Sequence, residues 1–200
     1  MNVGRPFAGE TVVVSAAAGS VGMYVGQIAR ALGCRTVGIA GGSEKCNWVR
    51  TRLGFDACID YRSPGFFRDL RSACPQGVDV YFDNVGGQVL ETVLFQMNMK
   101  GRVVCCGAVS QYNQTAASGP RNLPGIVVVK RLRMEGFIVM DFAEQDERAV
   151  AELSTWLQSG QITVVDDIID GLEHAPAALV GLLKGDNRGK RMVRVSPDPA

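Results

Sequence analysis

Two hundred residues suit one large domain, or one domain with part of a second, and 46% hydrophobic against 20% charged residues can supply a sizeable core. Lys plus Arg number 21 and Asp plus Glu 20, a formal net charge of +1, so no strongly basic or acidic balance favours nucleic acid or a charged membrane. No apolar run approaches the roughly 18–20 residues that cross a bilayer, and Met1-Asn2-Val3-Gly4 lacks signal-peptide character, so a soluble, cytoplasmic protein is expected.

In chain order, short β-branched runs alternate with amphipathic stretches, the pattern of βαβ units and a parallel sheet. Thr11–Ser15 reads as a strand, Val21–Leu32 as a helix ended by Gly33, and Arg35–Ala40 as a second strand. A helix over Glu44–Leu53 stops at Gly54. A third strand over Ala57–Asp60 precedes a helix from about Phe66 to Ala73. Val78–Phe82 is the fourth strand, Gln88–Asn98 the next helix, and Arg102–Cys106 the fifth strand. Residues 107–124 are rich in Gly, Pro, Ser and Asn and read as a loop. A helix over Ile126–Leu132, a sixth strand over Glu135–Met140 and a long helix over Ala143–Ser159 complete a doubly wound, six-stranded α/β fold. The remainder, with strands near Ile168-Ile169 and Arg191–Val195 and a helix over Ala175–Leu183, goes beyond a complete sheet.

The chemistry starts at Ser15-Ala16-Ala17-Ala18-Gly19-Ser20-Val21-Gly22, where a strand turns into a helix. Ala17 takes the first position of a G-x-G-x-x-G fingerprint, with Gly19 and Gly22 at the others. Gly19 would admit a pyrophosphate to the backbone, and Gly22 would let helix and strand pack closely. The anion would rest on free helix N–H groups. At the end of the second strand, NAD-selective folds place a carboxylate on the ribose 2′-hydroxyl. Here Ala40 stands there, followed by Gly41-Gly42-Ser43-Glu44-Lys45. Small residues leave room for a 2′-phosphate, Lys45 offers it a charge, and Glu44 is expected to face outward; an exposed first-turn lysine is the alternative. Two more loops leave the same sheet edge, Asp83–Gly87 and Cys106–Asn113. Asp83 has the alternative of capping a turn, and Tyr112 that of packing. The six cysteines form no C-x-x-C, and His174 is the single histidine, so buried reduced thiols are expected and no metal site.

Taken in order, AAAGSVG, GIAGGSEK, FDNVGG, CGAVSQYN, RMEGFIV and LLKGDNRGK resemble the prostaglandin reductase and alkenal/one oxidoreductase branch, with curcumin reductases, of the medium-chain dehydrogenase/reductase superfamily. The resemblance covers essentially the whole chain. It implies zinc-free, NADPH-dependent reduction of the carbon–carbon double bond of an α,β-unsaturated ketone or aldehyde. A quinone reductase of the same superfamily is the alternative, as is a non-catalytic NADPH-binding module. By the same resemblance Gly19, Ser20, Val21 and Gly22 form the pyrophosphate turn, Gly42, Ser43, Lys45 and Tyr61 the phosphoadenosine end, and Asn84 a further contact. Cys106, Gly107, Ala108, Val109, Ser110, Gln111 and Tyr112 surround the nicotinamide ribose. Phe137, Ile138 and Val139 line the nicotinamide, and Asn187 lies near its amide. Tyr112 would hold the ribose or the enolate oxygen. The resemblance further implies a homodimer through the sixth-strand region. Residues 1–162 would form the cofactor domain, with 163–200 returning toward an N-terminal barrel that precedes it in full-length members. The strand at Arg191–Val195 is then expected to be loosely held or paired with a neighbouring molecule. The helix before it should dock on the cofactor domain through Leu179, Val180, Leu182 and Leu183.

Overall fold

The computed structural model describes residues 2–112, 114–115 and 119–196; Met1 and Asn113 lie outside them. The first strand, β1 (Thr11–Ser15), passes into α1 (Ser20–Ala31), and β2 (Arg35–Ala40) into α2 (Ser43–Leu53). Next come β3 (Ala57–Asp60), α3 (Phe66–Ala73), β4 (Val78–Asp83), α4 (Gly87–Leu94) and β5 (Met97–Cys105). After them follow α5 (Leu123–Lys130), β6 (Arg133–Gly136) and α6 (Asp146–Gln158). A second sheet holds β7 (Asp166–Asp170) and β8 (Lys190–Arg194), separated in sequence by α7 (Ala175–Lys184).

The main sheet is six-stranded in the order β3-β2-β1-β4-β5-β6, and its ladders are parallel. Successive residues of its central strands are buried on opposite faces, because helices cover both. Val13, Val37, Tyr81 and Val103 point to one side, where Leu70 of α3, Leu90 and Val93 of α4 and Ile126 of α5 meet them. Val12, Val14, Val80 and Val104 point to the other, against Met23 and Ala29 of α1 and Val49 and Leu53 of α2. Full burial of one such side chain is worth about 1.5–3 kcal/mol, which makes this double core the main source of order. The strand order reverses between β1 and β4, so their carboxyl ends open a crevice.

Several elements differ from the sequence expectation. The helix after β4 ends at Leu94 rather than Asn98, and β5 begins at Met97, whose partner is Val78. Met97, Met99 and Lys100 are good helix formers, but Lys100 adopts φ 63° and the ladder shifts register between Val78 and Val80, so pairing overrides propensity. At the sheet edge, β6 uses Arg133–Gly136, whereas the apolar run 137–140 leaves the ladder and passes into a 3-10 turn over Val139–Gln145. The tail strand is not unpaired. Along β8, Arg191, Met192 and Val193 pair in register with Asp167, Ile168 and Ile169 of β7, and Arg191 closes an ion pair of 2.6 Å on Asp167. The expected docking of α7 is seen only in part: Leu182 and Leu183 line the cleft at the carboxyl edge of the main sheet while still exposed, Ala178 is the buried residue of the helix, and Leu179 and Val180 stay exposed among the described residues. The segment after the helix docks as well. The Gly189 N–H donates to the Ala18 carbonyl at 2.8 Å, and the buried Gln27 side chain grips both backbone groups of Thr163, at 3.1 and 2.7 Å.

Candidate functional site

At the end of β1 the chain makes a tight turn. Ala16 takes a left-handed φ of 49°, and its carbonyl accepts from the Gly19 N–H at 2.9 Å. A Cβ on Gly22 would lie 2.3 Å from that carbonyl oxygen, so only glycine lets α1 start this close to the strand. Ala17, in the first fingerprint position, is fully buried. The first turn of α1 carries no acidic residue, leaving its free N–H groups and the positive end of its dipole to an outside anion.

This turn opens on a cleft of about 1280 Å³ along the carboxyl edge of the sheet. Of the residues singled out by sequence, Gly19, Ser20, Val21, Gly22, Lys45, Tyr61, Asn84, Val109, Ser110, Tyr112 and Asn187 line it together. Gly42 and Ser43 form the turn behind Lys45: Gly42 has φ 91° and donates its N–H to Asp60 at 2.9 Å. Cys106, Gly107, Ala108 and Gln111 belong to the loop that shapes the rim. The Cys106 and Gly107 N–H groups donate to the Asp83 carbonyl at 2.8 and 3.1 Å, and the Gln111 N–H to Ala108 at 2.8 Å. Phe137 lies elsewhere, packed edge-on against Phe82 at 6.2 Å and lining a separate apolar cavity of about 270 Å³ under α6. Ile138 and Val139 are exposed beyond the end of β6.

Around β4 the polar groups are tightly bound to one another. Asp83 is buried, and one of its oxygens accepts from Ser15 Oγ at 3.2 Å, Tyr81 Oη at 2.8 Å, and the Val85 and Gly86 N–H groups at 3.0 and 2.9 Å. Burial, and then the Asp83 charge, push the Tyr81 phenol well above its ordinary pKa, so it stays a donor. Asn84 is held at both ends by Ser15, its N–H donating to Oγ and its side-chain amide to the carbonyl, each at 2.8 Å. Asp83 therefore caps the turn that presents Asn84. On the rim, Tyr112 is 67% exposed at the end of a 3-10 turn over Val109–Gln111, and its hydroxyl lies beside Gly107.

At the far end, Glu44 points outward and meets Arg188 at 3.2 Å, while Lys45 turns into the cleft and donates to the Gly185 carbonyl. Burial, followed by the nearby Arg188 charge, lowers the Lys45 pKa below its ordinary value. Asn187 is buried beside the turn, its amide donating to the Gly189 carbonyl at 2.9 Å. Sequence reasoning missed Arg62, which lines the cleft beside Tyr61, and Asp60, which fixes the turn in front of both. The available signal was their place at the carboxyl end of a strand. Among the described residues, no three His, Cys, Asp or Glu side chains gather as a metal site, and no helix is long and apolar enough to cross a membrane.

A parallel, doubly wound sheet whose reversal point holds a glycine turn and a bare helix start defines the class of dinucleotide-binding domains. Within that class, the chain belongs to the zinc-binding dehydrogenase family, which matches residues 20–156. It is 44% identical over 203 residues to the NADPH-dependent curcumin reductase of Escherichia coli (strain K12), covering 99% of this chain and 59% of that protein. Identity to prostaglandin reductase 1 of Rattus norvegicus is 46% over 188 residues, covering 93% of this chain and 57% of the relative. The crystal structure of CurA in complex with NADPH from Vibrio vulnificus superposes with a TM-score of 0.94 at 41% identity, covering 98% of this chain and 60% of CurA. The chain thus spans rather less than two thirds of each, between 57% and 60%.

Proposed function

We propose that this chain is the NADP(H)-binding part of a zinc-independent reductase acting on the carbon–carbon double bond of α,β-unsaturated ketones or aldehydes. The single observation that carries the cofactor reading is the cleft itself. It joins an anion-binding helix start, a cation-lined turn with no carboxylate at Ala40, and an amide and hydroxyl rim, all at one sheet edge. The tight approach at Gly22 fits a pyrophosphate on α1, since any Cβ there would push the helix start away. The curcumin reductase relative is NADPH-dependent by name, and it and prostaglandin reductase 1 are both reductases, which supports the cofactor and the type of reaction.

When bound, reduced NADP supplies the hydride that adds to the β-carbon of the polarised alkene. This chain's residues bind and orient. Gly19 to Gly22 hold the pyrophosphate on N–H groups, and Lys45 and Tyr61 take the phosphoadenosine end. Asn84, fixed by Ser15, and Asn187, fixed by Gly189, present rigid amides to the reacting end. The Tyr112 hydroxyl stands on the rim, where it can donate a hydrogen bond to the cofactor ribose or to the enolate oxygen that forms as hydride arrives. Substrate enclosure falls to a barrel domain outside these residues, toward which 163–200 return. A homodimer joined at β6 is part of the same proposal. That strand stands at the sheet edge, and exposed Val128, Val129, Ile138, Val139 and Met140 lie around it. Unpaired thiols at Cys34, Cys46, Cys58, Cys74, Cys105 and Cys106 suit the reducing cytoplasm.

Product analysis of the full-length enzyme tests the reaction. A saturated ketone from an enone is expected, with slower turnover in Tyr112→Phe by about tenfold, or 1.4 kcal/mol, and little change in NADPH affinity. Quinone reduction to hydroquinone with enones left untouched would move the enzyme to the quinone reductases. An unchanged rate in Tyr112→Phe would reduce that residue to packing.

A further inference from the structure

We infer that Arg62 is a second specificity-determining residue for the cofactor's 2′-phosphate, gripping it from the end of β3 as Lys45 does from α2. The inference rests on the NADP(H) reading above and adds a residue to it. Three independent features of the structure converge on Arg62.

The first is position. A Cβ on Gly41 would lie 3.0 Å from Arg62 Nε and 3.0 Å from the Tyr61 ring, so both side chains lie against bare backbone at the end of β2. The guanidinium carbon stands 5.6 Å from the centre of the Tyr61 ring, within cation–π range. Gly41, Lys45, Tyr61 and Arg62 all line the one cleft.

Rigidity is the second. One oxygen of Asp60 accepts the Gly42 N–H and the Arg62 N–H, each at 2.9 Å, so the backbone of the turn before Lys45 and that of the strand end carrying Arg62 are tied to one carboxylate. Backbone so tied needs less ordering when a ligand arrives, which lowers the entropy cost of binding; the exposed Arg62 side chain keeps its own.

Charge is the third. Arg188 is engaged with Glu44 at 3.2 Å, and Arg191 with Asp167 at 2.6 Å. Arg62 closes no ion pair with a carboxylate within 4.0 Å among the described residues; the Tyr61 hydroxyl is its first partner, and Asp60 and then Asp186 act on it only from farther away. It also stands near enough to Lys45 that its charge, after burial, Arg188 and the opposing Asp186, helps lower that lysine's pKa. Two like charges held together across a glycine turn repel one another until an anion sits between them. A phosphate dianion reverses that repulsion, and a planar guanidinium can offer it two parallel N–H groups. Lys45 alone is a weaker discriminator. Its ammonium is partly desolvated and already donates to Gly185, whereas Arg62 remains charged at every working pH.

Calorimetric titration of the wild-type chain, Arg62→Ala, Arg62→Lys and Lys45→Ala with NADPH and with NADH tests this, with thermal melts to show that each variant folds. Arg62→Ala is expected to weaken NADPH at least fivefold while NADH changes by less than twofold. Arg62→Lys should recover part of the loss, and Arg62→Ala combined with Lys45→Ala should lose more than either alone. The phosphate-bearing fragment 2′,5′-ADP should follow NADPH across the series. Equal weakening for both cofactors would assign Arg62 to the adenine or to the fold, and no weakening would remove it from the site; either overturns the inference and leaves the NADP(H) reading standing. A wild-type chain that binds NADPH no better than NADH overturns the reading itself, and the inference with it.

Discussion

In the main sheet Val13, Val14, Val37 and Val78 reach full burial between two helical layers, whereas α6 buries none of its 13 residues and α7 buries Ala178 alone. The first region is ordered by area removed from water. The second is ordered by particular polar ties: Gln27 to Thr163, Gly189 to Ala18, Lys45 to Gly185, Glu44 to Arg188. Three of those four ties end on the turns that form the cleft. The C-terminal region therefore borrows its placement from the turns around the cleft, which Leu182, Leu183, Lys184 and Asn187 help to line. Burial gives cooperative stability, while a few polar ties, only some of them buried, give position with less resistance to local opening.

Hydrogen exchange is the way to break this comparison with the largest signal. Amides of β1, β2, β4 and β5 should exchange only with global unfolding, on the order of 5–15 kcal/mol for a domain. Those of α6, β7 and β8 should open several kcal/mol more easily. Uniform protection through residue 194 would mean that the two regions form one cooperative unit.

Two arginines sharpen it further. Arg102 reaches from β5 to the Glu10 carboxylate at 2.6 Å and to the carbonyls of Gly4 and Arg5 at 3.0 and 2.9 Å, tying the N-terminal segment to the sheet. Arg191 makes the equivalent half-buried pair with Asp167 inside the small sheet. Arg102→Gln should lower the main melting transition, by about 1–3 kcal/mol near neutral pH, because it leaves Glu10 and two carbonyls short of a partner. Arg191→Gln should leave that transition nearly unmoved and raise exchange in β7 and β8. The Arg102 effect should also depend on pH. Its hydrogen bond holds the Glu10 pKa below the ordinary 4.5, so the pair stabilises fully above that pH and loses its contribution as pH falls through the lower, folded value. A loss independent of pH would mean that Arg102 acts through packing alone.

The same division governs what could be read from sequence. Strands β1, β2 and β3 begin and end where the short apolar and β-branched segments between turns do, and the glycine turn announces the edge where the cleft opens, because both depend on neighbours along the chain. Pairing and docking depend on distant residues, and there the sequence misled. The apolar run 137–140 resembles a strand more than Arg133–Gly136 does, yet only the latter meets Arg102–Cys105 in register. Likewise, β8 is expected to lack a partner until Asp167, 24 positions away, supplies one. Arg62 escaped notice because a lone arginine after a tyrosine carries no periodic signal. Its meaning comes from Gly41, a residue of the neighbouring strand end.

The central claim is that these 200 residues already contain a selective NADP(H) site, independent of whatever encloses substrate. Titration of the isolated chain with NADPH and NADH tests it most directly. NADPH should bind at least tenfold more tightly, a difference of about 1.4 kcal/mol or more, while enone turnover by the same preparation stays low. Equal affinity for the two cofactors, or no measurable binding of either, would contradict it.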